Sequence, residues 1–452
     1  MDATATPKQR YTGGSSSPRI ALPSLRTVQL QVELPFEAPL IKSEYGLTFR
    51  DSKKEPFHRW YPYVEGFSAP YVRTVFERFG PVRTVLDPFG GAGTTQLETS
   101  ANGVRAFYSE LNPFMRFVAD TKVNSSIWCR LHIKTVRDAA EMFVKTLYSS
   151  EFDSQVKRAS LEGYLTAFRD RDYFEESHLR ELIVARDIAA EFADHPHIRN
   201  ILTLAVASVV VKSSNMTRRA DLRRRRSDEY KERVVDVRGS IREKVSEIFE
   251  DLQREYGPRV DTTYVCENAK DVGDHADNID IAITSPPYLN GTNYCRNTKL
   301  EQWLLGWLRS ESDLRHFREH AITAGINNVN SKRTLPYRFA AVDRIGQALG
   351  ETDGDRRIPQ LVLGYFSDMY EMFVSVLKAL RPGGRFVLDI GDSKFYGVHV
   401  PTDVLLAVVA EEAGFKVESS RMLAKRYSYD RTALHQVELV FCKASRKKAK
   451  RR

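Results

Sequence analysis

Thr284-Ser285-Pro286-Pro287-Tyr288 closes the apolar run Ile279-Asp280-Ile281-Ala282-Ile283, and this junction decides the fold. The run reads as a buried strand. Two prolines follow at once, and without backbone N–H groups they cannot continue a sheet. The chain must turn out of the strand's carboxyl end, where open α/β sheets place their ligand crevices. Ser285 and Pro286 bring a hydroxyl and a carbonyl to that point, and Tyr288 brings an aromatic face. Acceptors of this kind can hold the hydrogens of a conjugated amino group and draw its nitrogen toward tetrahedral geometry. An aromatic face can stack on a base turned out of a duplex. Ser285, Pro286, Pro287 and Tyr288 are therefore the candidate catalytic residues. In isolation the same stretch also reads as a strand-ending turn with a core tyrosine.

A second signal lies upstream. Arg83-Thr84-Val85-Leu86-Asp87 has a short strand pattern, and Pro88-Phe89-Gly90-Gly91-Ala92-Gly93-Thr94-Thr95 is a turn entering a helix. Glycines let the backbone approach a ligand closely, and the helix N-terminus favours a carboxylate. No Gly-Lys-Ser/Thr follows, so the turn is not a P-loop. The next strand, Val104–Ser109, ends in Glu110, where an acid is placed to take ribose hydroxyls. Alone, Glu110 would read as a surface acid. Together, Asp87, Phe89, Gly91, Gly93, Thr94 and Glu110 make a candidate cofactor site.

Asp87-Pro88-Phe89-Gly90-Gly91-Ala92-Gly93-Thr94, the acid in Tyr108-Ser109-Glu110-Leu111-Asn112-Pro113, and Thr284–Tyr288 together resemble the S-adenosyl-L-methionine-dependent amino-methyltransferases of DNA. The Ser-Pro-Pro-Tyr form is most similar to the cytosine-N4 branch. Phe57-His58-Arg59-Trp60-Tyr61-Pro62-Tyr63 and Phe67 resemble the N-terminal motif that covers the methionine end of the cofactor, which implies roles for Tyr61 and Tyr63. Val265-Cys266-Glu267-Asn268-Ala269 resembles the motif that meets the cofactor's adenine, with Asn268 where the family often has Asp. Leu380–Asp392 resembles the later Pro-Gly turn and fifth strand. The resemblance implies a doubly wound, seven-stranded mixed α/β sheet of the Rossmann-like methyltransferase type. It also implies S-adenosyl-L-methionine as cofactor and double-stranded DNA with base flipping as substrate, with a restriction endonuclease or defence-system partner. Adenine-N6 transfer, RNA base methylation and a non-catalytic nucleic-acid-binding subunit are the alternatives.

Composition agrees with these readings without selecting among them. A chain of 452 residues with 42% hydrophobic content supports a sizeable core. A net charge of +9 suits a polyanionic partner. The four cysteines, Cys129, Cys266, Cys295 and Cys442, show no metal spacing, so no metal site is expected, and they suggest a reducing cytoplasm. None follows a proline, which leaves no candidate nucleophile for covalent transfer to cytosine C5. No secretory signal is visible, and the longest apolar run, Ile201–Val211, is too short to span a bilayer.

Along the chain, residues 1–44 read as a flexible segment. Residues 45–125, 259–308 and 361–442 read as three parts of a split catalytic domain, and 443–452 as a basic tail that either aids solubility or touches phosphate. Between them lie a helical insertion at 126–258 and a polar one at 309–360. The first carries Arg218, Arg219, Arg223, Arg224, Arg225 and Arg226. Beside a polyanionic substrate these arginines are expected to contact nucleic acid. The opposing reading is a solvated helix face salted by Asp228, Glu229 and Glu232. Asn293, Asn327, Asn328 and Asn330 are further candidates for DNA contact. The later strands are expected at Asp261–Val265, Ile279–Thr284, Arg385–Ile390, Phe415–Ser420 and Leu434–Cys442, the last two pairing antiparallel.

Overall fold

Seven strands form one mixed sheet in the computed structural model, which describes residues 51–63, 66–218, 221–230, 233–290, 295–330, 333–427 and 431–445. The expectations for residues 1–44, Arg219, Asn293 and residues 446–452 lie outside the described residues. The strands are β1 (Thr84–Asp87), β2 (Arg105–Ser109), β3 (Thr262–Cys266), β4 (Ile279–Thr284), β5 (Leu380–Gly391), β6 (Phe415–Tyr427) and β7 (Ala433–Lys443). Their order is β6-β7-β5-β4-β1-β2-β3. Neighbours pair in parallel except at β7, which runs antiparallel to both β5 and β6. The expected doubly wound, seven-stranded mixed sheet is therefore present.

Both faces of the sheet are buried, as parallel strands require. Val85, Ile281, Ile283 and Val387 pack against helix α1 (Ala69–Phe79). Leu86, Ala282, Phe386 and Leu388 belong to the opposite core, with the long helix Ile358–Ala379 and the helix Thr402–Glu412. The chain moves outward from β1 through β2 to β3, then returns to place β4 on the other side of β1. That reversal is a topological switch point, and it opens a crevice beyond the carboxyl ends of β1 and β4.

Two local expectations change. The Pro382-Gly383-Gly384 turn expected before β5 is a bulge within it. Leu380 pairs with Ile279 and Arg385 with Ile281, and Gly383 takes φ 77° in the intervening loop. Arg218, Arg223 and Arg224 lie on a short hairpin, Met216–Arg218 against Leu222–Arg224, and not on a helix face. The rest of the first insertion is helical, including Ile133–Leu147, Glu176–Ala190, Pro196–Ser208 and Val237–Leu252. It shares its core with Phe57, Trp60 and Tyr61 before the sheet and with Leu300, Trp303 and Leu304 after β4. No helix among the described residues is long and apolar enough to cross a membrane.

Candidate active site

The strand β1 ends in Asp87, whose carboxylate lies beneath the crevice. Its Oδ1 accepts the Thr284 hydroxyl from the tip of β4 at 2.6 Å and the Phe89 N–H at 3.0 Å. Burial pushes this carboxyl up to about 6, against the bonds that favour its charge. Asp87 thus ties the two strand ends together from behind.

The turn after Asp87 needs its glycines for different reasons. Gly91 takes φ 50°, and a side chain there would meet little protein, the nearest atom being Phe89 O at 3.9 Å. Gly93 takes φ 83° as the N-cap of α2 (Thr94–Ala101), and a Cβ would stand 2.9 Å from Ala119 Cα. Glu110, at the end of β2, accepts the Gly91 N–H through Oε2 at 2.7 Å and the Asn112 N–H through Oε1 at 2.8 Å. Burial pushes its carboxyl up to about 7.

A cavity of about 290 Å³ opens over this turn. Its floor is Phe89, Gly90, Gly91, Ala92 and Thr94, and Glu110 and Asn268 also line it. Ser285, Pro286 and Pro287 form an edge of the same cavity, which Tyr63 and Phe67 also line. Cofactor and catalytic candidates that lie up to 224 residues apart by sequence number (Tyr63 to Pro287) therefore meet in one space.

Four candidates do not line this cavity. Tyr61 is buried behind it, where its hydroxyl donates to Glu301 Oε1 at 2.9 Å and accepts from Arg218 at 2.7 Å. Gly93 lies below the floor against Ala119, and Asp87 is occupied with Thr284. Tyr288 sits past the edge, half-buried, with its hydroxyl donating to Asp389 Oδ1 at 3.1 Å.

The segment expected to cover the cofactor is held by two buried groups. Asp251, in Val237–Leu252, accepts the Phe57 N–H and the Trp60 indole N–H, each at 2.9 Å, and the Arg59 guanidinium at 2.7 Å. Lys122 donates to the carbonyls of His58, Tyr61 and Ala92 at 3.2–3.3 Å, joining this segment to the glycine turn. Burial pushes the Lys122 ammonium down to about 7.

Arg218 is corrected from a nucleic-acid contact to an internal clamp. It is nearly buried, paired with Glu301 at 2.6 Å and donating to the Asn297 carbonyl at 2.9 Å. Arg223 is paired with Glu229 through two 2.8 Å bonds, Arg224 with Asp172 at 2.6 Å, and Arg226 is exposed. Asn330 is exposed, whereas Asn327 and Asn328 line the cavity.

Sequence reasoning missed an entire wall of this cavity. Leu314, Phe317, Ile322 and Ala324, from the polar second insertion, line the cavity with Asn327 and Asn328. The available signal was a set of apolar residues at 314, 317 and 322 inside an otherwise polar stretch.

No family model matches the chain. The chain is 23% identical over 425 residues to the Type II methyltransferase M.BsoBI of Geobacillus stearothermophilus, covering 82% of this chain and 81% of that protein. It is 23% identical over 420 residues to the Type II methyltransferase M.AvaI of Nostoc sp., covering 83% of each. Among solved structures, a SAM-dependent methyltransferase from Methanosarcina mazei aligns at TM-score 0.30 and 8% identity, over 82% of this chain and 97% of that one. The rRNA methyltransferase aviRa from Streptomyces viridochromogenes aligns at 0.26 and 10%, over 82% and 85%. Superpositions this loose carry no argument about substrate.

Proposed function

We propose that this chain is a DNA methyltransferase of a restriction–modification system, acting in the cytoplasm on the exocyclic N4 of cytosine with S-adenosyl-L-methionine as methyl donor. One observation carries the reading: a single cavity sets the glycine turn and Glu110 beside Ser285-Pro286-Pro287. Similarity to two Type II methyltransferases over more than four-fifths of the chain supports it.

The residues present fit the cofactor. Glu110 is a carboxyl with lone pairs left for a ribose diol. The apolar faces of Phe89 and Met115 suit the rest of a nucleoside. Gly91 leaves room that any side chain would fill. The start of α2 favours the carboxylate at the methionine end. When bound, S-adenosyl-L-methionine supplies an electrophilic methyl group.

The Ser285 hydroxyl and the Pro286 carbonyl hold the hydrogens of the target amine, so that its lone pair turns from the ring toward the methyl group. The Tyr288 ring stacks on the flipped base, held by its bond to Asp389. A neutral serine before Pro-Pro-Tyr, where other family members have Asp or Asn, favours cytosine over adenine. Phosphate contact falls to Arg223–Arg226, which would exchange Glu229 and Asp172 for DNA. Base reading falls to the first insertion, and a cognate endonuclease is the expected partner.

Incubating the protein with methyl-labelled S-adenosyl-L-methionine and either duplex DNA or structured RNA tests this reading. Label in DNA alone is expected. Label in RNA alone, or in neither, would overturn it.

A further inference from the structure

The hairpin of β6 and β7 is longer than the sheet it closes. Strand β5 ends at Gly391, opposite Gln436, whereas β6 and β7 go on pairing through Lys425–His435, Arg426–Leu434 and Tyr427–Ala433. At about 3.4 Å per residue, these further pairs carry a two-stranded ribbon roughly 10 Å past the end of β5. Because β5 runs parallel to β4, this is the end of the sheet at which the crevice opens.

The root of the ribbon is fastened to the Pro-Pro-Tyr turn. Gln436 donates to both oxygens of Asp389, at 2.8 and 2.9 Å, and the same carboxylate takes the Tyr288 hydroxyl. The His435 carbonyl accepts the Asp392 N–H at 2.9 Å. A small hairpin, Ser393–Phe395 against Val398–Val400, adds a brace. In it, Lys394 donates to the Thr432 hydroxyl at 2.6 Å, and Ser393 donates to the Leu289 carbonyl, next to Tyr288. The contacts that place Tyr288 therefore also place the ribbon.

The surface of the ribbon suits a polyanion. Tyr427 is 66% exposed, and Lys425 and Arg431 are exposed. Among the described residues neither of these cations is paired with an acid, whereas Arg223 is held by Glu229 and Arg224 by Asp172. An unpaired cation can meet a phosphate without first giving up an ion pair. From Lys425 to Arg431 the sequence carries three basic residues against the single acid Asp430. A two-stranded ribbon is also an element that the grooves of B-form DNA accommodate, unlike the narrow major groove of A-form RNA.

We propose that the β6–β7 ribbon is a second DNA-contact element, in which Lys425 and Arg431 neutralise backbone phosphates of the duplex beside the base presented to Tyr288. The grip on DNA then comes from both sides of the chemistry, from the first insertion and from the far end of the sheet. This inference rests on the reading that the chain methylates DNA.

The test measures binding of a fluorescently labelled duplex of mixed sequence over a range of salt concentrations. One variant combines Lys425→Gln with Arg431→Asn, since asparagine accepts the left-handed φ of 62° at that position. A second combines Lys425→Arg with Arg431→Lys and keeps both charges. The neutral pair should lower the log–log salt slope by roughly 1.8, about 0.9 for each of two phosphates, with S-adenosyl-L-methionine affinity unchanged. The charge-keeping pair should retain the wild-type slope. An unchanged slope in the neutral pair overturns the assignment, and so does an equal fall in both pairs, because the ribbon would then act through its shape and not its charge. Either result, with a wild type that still methylates DNA, leaves the proposed function standing. A wild type that binds S-adenosyl-L-methionine but no duplex removes both.

Discussion

Glu110→Gln should weaken cofactor binding while leaving the fold in place. The carboxylate accepts two backbone N–H groups, from Gly91 at 2.7 Å and Asn112 at 2.8 Å, and offers its remaining lone pairs to the cavity. Glutamine keeps the shape and one acceptor, but turns an NH₂ toward either the Gly91 N–H or the ligand. Charge-assisted bonds contribute about 1.5–3 kcal/mol, so the dissociation constant for S-adenosyl-L-methionine should rise roughly 10- to 150-fold. A pH signature goes with this loss. Burial holds the Glu110 carboxyl up at about 7, so near neutrality the free protein is partly protonated there. Its contribution to stability is therefore greatest below the ordinary carboxylate range and is lost as pH rises through about 7. Ribose hydroxyl donors favour the ionised form, so binding expels a proton and the wild-type affinity should tighten between pH 6 and 8. Calorimetry in buffers of different ionisation enthalpy reads both quantities. An affinity in Glu110→Gln that is unchanged, or that still tightens with pH as in the wild type, would refute the role given to this carboxylate.

The two glycines of the turn should separate binding from folding. Gly91→Asp should abolish cofactor binding at the cost of only about 1–2 kcal/mol of backbone strain at φ 50°, whereas Gly93→Ala, at φ 83° and 2.9 Å from Ala119, should lower the melting temperature further. Tyr288→Ala should reduce turnover by the equivalent of ~1–3 kcal/mol of base stacking while cofactor affinity holds, and Tyr288→Phe should retain most of the turnover; joint loss of affinity and turnover would make the turn structural. Arg218→Met, which leaves Glu301 buried and unpaired, should cost about 3–5 kcal/mol in denaturant unfolding. Replacing Arg223, Arg224, Arg225 and Arg226 together should instead cost less stability than Arg218→Met and reduce the log–log salt slope of DNA binding by roughly 0.9 per lost phosphate contact. An unchanged slope would return the run to a solvated surface.

The strand β4 and its exit were legible because both constraints are local: an apolar run, then two residues that cannot donate to a sheet. The strand-end positions of Asp87 and Glu110 were legible for a similar reason, each standing beside a distinctive turn. The position of β7 between β5 and β6 was not, since a hairpin pattern states pairing but not which edge of the sheet receives it. The Pro382-Gly383-Gly384 stretch has turn chemistry, and only the register of β4 against β5 makes it a bulge. Arg218 looked like its neighbours because charge is visible in a sequence and burial against Tyr61 and Glu301 is not. The wall from Leu314 to Asn328 was hidden for a related reason: Thr323 and Arg333 are polar because they bind buried Asp368, so the segment looked solvated.

The most direct measurement is nucleoside mass spectrometry on DNA methylated by the purified protein with isotopically labelled S-adenosyl-L-methionine. The Ser285-Pro286-Pro287 edge beside the Glu110 cavity predicts labelled N4-methylcytosine. Labelled N6-methyladenine as the sole product would contradict the assignment to cytosine, and labelled 5-methylcytosine would contradict direct transfer to nitrogen itself.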